Sequence, residues 1–429
     1  MDKGHESLTG TNDAYHELAR CLLAGLASVS MAAQADAIMI RNASIHTMTD
    51  DGVLENTDLF ISAGKIQKIG KDLPVPQDIR VFDAAGKPLT PGFFAGITAT
   101  GITEVPAVEE STDSGLGLKE MRPEFDVVPA YNPNSSLVPV TRIEGFSFTL
   151  LGADSEGSIF GGQGRMVRLD GGYESFFGGP VLFVNVGRDA SGLSGGSRAA
   201  QWMLLHQAMA EADSPPVSTE TALLTRAGRG TLSSFVTAGK VVFNVDRASD
   251  ILETIRFAEK YGLDLVISGG REAWMVAREL AAANVPVLLD PLANLPSNFD
   301  AIGSRLNNAA MLEAAGVVIA ISGGETHNAR KQRQMAGNAV SYGLPHEEGI
   351  AALTINPAKI FGVEDQQGSI RQDMPANVVL WSGDPLEVTS AAEVVVINGK
   401  YMPMVSRQTE LRDRYLPEHP DKPRAYIKP

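Results

Sequence analysis

"KVVFNVDRASDILETIRFAEKYGLDLVISGG", Lys240 to Gly270, decides the fold class. Lys240–Val245 is a short, nearly continuous apolar run, the pattern of a strand buried on both faces. Ile251, Leu252, Ile255 and Ala258 then recur on one helical face, and Gly262 supplies a stop. A second strand-like run begins at Leu263. Strand, helix and strand in this order call for a parallel sheet.

The pattern continues through helix 271–284, strand 285–290, helix 305–316, strand 317–324 and helix 329–343. Four strand–helix units in succession, inside about 250 residues of such material, fit a (β/α)8 TIM-like barrel. Residues 92 to about 238 are harder to divide. "GSIFGGQG" (157–164) and "SGLSGGS" (191–197) read as flexible loops inserted at one barrel face. Their glycines and serines offer amides to an anion, but no Lys-Ser/Thr follows as in a P-loop, and no strand-then-GxGxxG unit is present.

Both ends of the chain are strand-rich. "AIMIRNASIHTM" (37–48), "DLFISAGKIQKIG" (58–70) and "RVFDAAGKPLTPG" (80–92) precede the barrel, and "GSIRQDMPANVVLWSGDP" (368–385) and "AEVVVINGKYMP" (392–403) follow it. The expected organisation is therefore α/β: a leader at 1–35, a small β-sandwich built from 36–90 with 362–405, a barrel at 91–361, and a C-terminal helix and tail at 406–429.

The leader expectation rests on "CLLAGLASVSMAAQADA" (21–37), small and apolar, preceded by Arg20 and containing the Ala33-Gln34-Ala35 cleavage pattern. It predicts export, to the periplasm, although the 19 residues before Arg20 form a long polar start for a signal segment. Cleavage there would remove Cys21, the one cysteine. No later run is long and apolar enough for a membrane span. A net charge of −15 argues against nucleic acid as a partner. A small molecule is the expected partner, and a homo-oligomer stays open.

"GKIQKIG" with "VFDAAGKPLTPGFF" at the start of the barrel, and "GETHNAR", "GNAVSYGLPHEEGIAALTINPAKIFGVEDQQGSI" and "PANVVLWSGDPLE" at its end, resemble the amidohydrolase superfamily near its imidazolonepropionase-like branch. The resemblance implies hydrolysis of a non-peptide carbon–nitrogen bond in a small molecule, by water on zinc or another divalent metal. It places the metal ligands at Ile97 and Ala99 (the first strand's His-x-His), Asn244, Gly269 and Gly324. None of these side chains is a usual metal donor, so the sequence predicts no cofactor by motif. His46, His206, His327, His346 and His419, the histidines beyond the leader, include no pair at ligand spacing.

Polar residues still gather beyond the expected strand ends. Asp246, Asp290 and His327 are the candidate catalytic groups; Thr98, Glu104, Asn244, Arg247, Ser268, Glu325, Asn328 and Arg330 are the candidate substrate contacts. Structural alternatives stand beside them: Asp246 and Asp290 as helix caps, Arg247 paired with Asp250, and His327 positioning the Gly323-Gly324 turn. Three readings follow. One is metal-free hydrolysis of an activated amide-type substrate. The second is a displaced site of Glu104, Asp246, Asp290, Glu325 and His327 for Mg²⁺ or Mn²⁺. The third is a non-catalytic binding descendant in the cell envelope.

Overall fold

The computed structural model describes residue 1 and residues 37–415, apart from 106–107, 119, 155–157, 189, 217–220 and 324. The leader, Cys21, Gly324, His419 and the tail beyond 415 lie outside the described residues.

Two eight-stranded sheets organise the chain. The first takes β1 (Ile38–His46), β2 (Val53–Ser62), β3 (Lys65–Gly70), β4 (Arg80–Asp83) and β5 (Pro88–Pro91) from the start of the chain. It completes itself with β14 (Val378–Trp381), β15 (Ala392–Ile397) and β16 (Lys400–Tyr401), in the order β16-β15-β14-β5-β1-β2-β3, with β4 also on β1. The two ends of the sequence thus meet at β5 and β14, where Val379 pairs with Thr90. The expected sandwich is one continuous hydrogen-bonded sheet. Ile38, Ile40, Leu59, Ile61, Val378 and Val396 lie in its core.

Trp381 fixes this sheet to the barrel. It is fully buried, its Nε1–H donates to Thr90 Oγ1 at 2.8 Å, and its ring lies 4.9 Å from that of Phe93. Gly145 sits directly beneath it, where any side chain would overlap the indole. The buried Arg333 covers the ring's other surroundings and donates to the carbonyls of Pro385, Glu387 and Ser390. Burial lowers the pKa of this guanidinium, and the three carbonyls take three of its five N–H donors.

The second sheet runs β6 (Phe93–Thr98), β7 (Phe146–Leu151), β8 (Phe160–Arg168), β9 (Phe176–Asn185), β10 (Lys240–Val245), β11 (Asp264–Gly269), β12 (Val287–Leu289) and β13 (Ile319–Ile321), each beside the next. From β9 to β13 every pairing is parallel. β8 is antiparallel to both neighbours, which departs from a regular (β/α)8 barrel. The "GSIFGGQG" stretch expected as a loop therefore supplies the start of a strand. Its glycines permit a close crossing: a side chain on Gly164 would overlap the carbonyl of Leu151.

Alternation along the strands builds the interior. Val242, Val266, Leu288 and Ala320 belong to one apolar cluster inside the barrel, while Val241, Phe243, Ile267, Leu289 and Ile321 pack with the helices outside. Those helices include α1 (Arg198–Asp213), α2 (Arg226–Thr237), α3 (Ala248–Tyr261), α4 (Ala277–Ala282), α5 (Asn308–Ala314) and α6 (Gln332–Ser341). Ser197 and Thr225 cap α1 and α2 through their hydroxyls, and α3 stops at Gly262 with φ +67°. The helices expected at 271–284, 305–316 and 329–343 are shorter than their sequence patterns, and two of them open with 3-10 turns.

Candidate functional site at the barrel mouth

Two residues past each inward apolar residue, the same alternation reaches the mouth. Val242 is followed by Asn244, Val266 by Ser268, Leu288 by Asp290 and Ala320 by Ser322. Register sets Asn185 beside Asn244, and Asn244 beside Ser268. A row of short polar side chains thus covers the apolar interior at the C-terminal ends of the strands, the end where catalytic groups of such barrels collect.

Two adjoining cavities open over this row. The outer one, about 510 Å³, is lined by Asn185, Arg188, Asn298 and Asp300 among others. The inner one, about 360 Å³, is lined by Ile97, Thr98, Ala99, Phe183, Arg271, Asp290, Ser322 and Thr326 among others. Asp154, Asn244, Asp246, Ser268 and Gly269 line both.

Hydrogen bonds fix much of the wall. Asn244 Nδ2 donates to Asn185 Oδ1 at 2.7 Å, and Asn185 Nδ2 donates to the Ser158 carbonyl at 3.2 Å. Asp246 accepts from the Arg271 amide at 3.2 Å, and its other oxygen lies 3.5 Å from Arg271 Nε. Asp290 accepts from the Leu292 amide at 2.9 Å. Asp300 is gripped by the Arg198 guanidinium and accepts from the Arg188 amide at 2.9 Å. Arg198 also reaches Asp250 at 3.1 Å. Burial raises the pKa of the Asp250 carboxyl, and Arg198 opposes that shift.

The first and last barrel strands, β6 and β13, do not pair directly. Low in the barrel, the Ile321 amide donates to Ala352 and the Phe94 amide to Leu353, so this short segment lies between them. At the mouth, side chains close the gap. The Ile97 amide donates to Ser322 Oγ at 3.0 Å, and the Ala99 amide to Thr326 Oγ1 at 2.8 Å. Buried Gln332 accepts from the Gly323 amide at 3.0 Å and donates to the Ala95 carbonyl at 3.3 Å. Gly96, at φ +86°, leaves room for this seam, since a Cβ there would lie 2.8 Å from Gln332 Nε2.

Of the candidate residues, the structure brings together Asp246, Asp290, Thr98, Asn244 and Ser268. The others do not line these cavities. His327 is half exposed, 3.5 Å from Glu325, and Asn328 hydrogen-bonds Glu325. Arg330 donates at 3.5 Å to Gln408, in the helix Arg407–Tyr415. Glu104 accepts from Asn132 at 3.1 Å, and exposed Arg247 occupies the N-cap of α3. The Gly323 amide is held by Gln332. Sequence reasoning missed Asp154, Asn185, Arg188, Arg271, Asp300, Ser322 and Thr326. Asn185 had a signal, because "VLFVN" ends as "VVFN" does; Asp154 had none.

An amidohydrolase from Thermotoga maritima superposes with a TM-score of 0.76, covering 86% of this chain and 100% of its own at 24% identity. The fold is that of an amidohydrolase. Molinate hydrolase also shares it, with a TM-score of 0.55, 14% identity, and coverage of 92% of this chain and 99% of that one. A model of the amidohydrolase family matches residues 316–402. The amidohydrolase tasK of Hapsidospora irregularis is 35% identical over 116 residues, which is 25% of this chain and 12% of that protein. Among the described residues, no helix is long and apolar enough to cross a membrane.

Proposed function

We propose that the chain is an amidohydrolase-superfamily protein whose barrel mouth binds a small polar molecule without the family's metal centre. The carrying observation is the chemistry of the wall at the positions where the resemblance assigns metal ligands. Ile97 and Ala99 present alkyl groups, while their amides serve the seam to Ser322 and Thr326. Asn244 spends its amide nitrogen on Asn185, and Gly269 has no side chain. This donor set does not fit the group, which takes imidazole, thiolate or carboxylate ligands. The cavity over it is polar, walled and large enough for a small ligand. Export to the periplasm belongs to the same proposal and rests on the leader-like stretch 21–37.

Hydrolysis of a carbon–nitrogen bond is the second reading, favoured by Asp246 and Asp290 both lining the inner cavity. One carboxylate would take a proton from water as its oxygen adds to an activated carbonyl carbon. The carbon–nitrogen bond then breaks, and that proton passes to the leaving nitrogen. His327 stands outside the cavity and takes no part in this scheme.

The test is to load the chain with Zn²⁺, Mn²⁺ or Mg²⁺, desalt it, and measure metal per chain. A content far below one ion is expected; one or two tightly held ions per chain would overturn the metal-free reading. The same preparation is screened by thermal shift against small amides, amines and acids. Hits should vanish in Ala293→Trp, which plugs the inner cavity, and hits unaffected by the plug would move binding elsewhere. Product formed from a hit, lost in Asp246→Asn, would favour the second reading.

A further inference from the structure

We infer that the loop 291–304, at the rim of the mouth, is the contact face for a second copy of this chain, paired about a two-fold axis. The inference does not depend on what the mouth binds.

The loop turns its apolar side chains outward. Phe299 is 77% exposed, Leu295 72%, Ile302 64% and Leu292 40%. Met275, 46% exposed, joins them, because its Cε lies against Gly303, where a side chain would overlap it. Single exposed apolar residues are ordinary; five on one loop and its neighbour are not. The loop cannot fold them in, because its other side is fixed. Ala301 is fully buried, and buried Asp300 is gripped by Arg198 and accepts from the Arg188 amide. The Gly303 amide donates to Glu272 Oε1 at 2.9 Å, and its carbonyl accepts from Trp274 Nε1 at 2.8 Å. A face held out in this way loses little freedom on docking.

Area and charge name the occupant. At about 150–200 Å² for each side chain when fully exposed, these fractions amount to roughly 500 Å² of apolar surface. A standard interface covers about 800 Å² on each partner, of which roughly 450–520 Å² is apolar. The face therefore supplies the apolar share of one half of a stable dimer. A net charge of −15 makes two copies repel over most of their surface. Within 291–304 the single charged residue is Asp300, which Arg198 already pairs, and Arg305 just beyond it stacks on Trp274. Two copies can meet here without opposing charges. An isologous contact also asks for no complementary ones, since the patch faces itself. A different protein would be selected by charge complementarity, and the loop offers none. Asn298 and Asp300, on either side of Phe299, line the outer cavity, so the two mouths would open beside the interface.

Sedimentation velocity of the purified chain, from about 1 to about 100 µM, reads the assembly. A dimer is expected within that range. Phe299→Asp should weaken it by about a hundredfold or more while leaving the circular dichroism unchanged, because little of this side chain is buried. Leu295→Asp, at a second exposed residue of the loop, should also break it. Phe299→Lys should dissociate alone, and an equimolar mixture with Phe299→Asp should regain association, since Asp then meets Lys across the axis. Met203, 60% exposed on α1, is the control, and Met203→Asp should leave the dimer intact. A parent that stays monomeric to the highest concentration, or forms an assembly other than a dimer, would overturn the inference. So would a dimer indifferent to Phe299→Asp and Leu295→Asp, a dimer broken by Met203→Asp, or an Asp and Lys mixture that stays apart.

Discussion

The two halves of the barrel solve the same packing problem differently. From β10 to β13, each strand is a short apolar run with a helix behind it, and every pairing is parallel. From β6 to β9, large side chains fill the interior: Phe94, Phe148 and Phe183 lie in the same apolar cluster as Val242 and Val266. There the chain reverses at β8, and glycines let backbones approach closely. The regular half rests on apolar side chains packed between strand and helix, while the irregular half also needs the absence of side chains at a few positions. One substitution in each should therefore fail in opposite ways, one by removing volume and the other by adding it.

Gly164→Val puts a branched side chain against the Leu151 carbonyl, so β7 and β8 must separate for it to fit. The expected cost exceeds about 4 kcal/mol, the range in which single changes abolish folding. Leu288→Ala, fully buried in the regular half, should cost about 2–5 kcal/mol and still give a folded chain, because the cavity partly relaxes. Soluble yield and near-ultraviolet circular dichroism compare them. A Gly164→Val chain that folds with ordinary stability would break the contrast.

The two halves meet at the seam, which sharpens the comparison. Gln332→Ala removes the acceptor for the Gly323 amide and the donor to the Ala95 carbonyl, both at a buried site. Leaving such groups unpaired costs about 1–3 kcal/mol. Denaturant unfolding reads the change. A loss below about 0.5 kcal/mol, the ordinary scatter of surface substitutions, would show that the seam does not hold the barrel's ends.

The same contrast explains what was legible in the sequence. Lys240–Val245 and its successors announce themselves because strand burial and helix amphipathicity act on neighbouring residues. Phe160–Arg168 does not, since Gly161, Gly162 and Gly164 are there for a crossing with residues distant along the chain. The mouth divides in the same way. Asn244, Ser268 and Asp290 follow from counting two beyond an inward apolar residue. His327 has the right distance from β13 along the sequence, but the 3-10 turn Thr326–Lys331 leaves its side chain outside the mouth while Thr326 lines it. Asp300 accepts from the Arg188 amide and is gripped by Arg198, long-range ties that no local pattern records.

The smallest expected effect lies on the outer face of the barrel, where α1 packs on α3. His206 stacks 5.2 Å from the Phe257 ring, and its Nδ1 lies 2.8 Å from the Tyr261 hydroxyl. Burial lowers its pKa below the ordinary 6.5, with nearby Lys260 adding to the shift. The folded chain thus favours the neutral ring more strongly than the unfolded chain does. The stability this contributes is fully present above the unfolded value of 6.5 and is lost as pH falls through the lowered folded value. His206→Gln removes the titrating group, so its melting temperature should fall less steeply than the parent's between about pH 7.5 and 5.5, a window that histidine dominates. Parallel curves across that window would show that the α1–α3 contact is insensitive to protonation of this ring, and that the packing of the barrel's outer face does not depend on its charge.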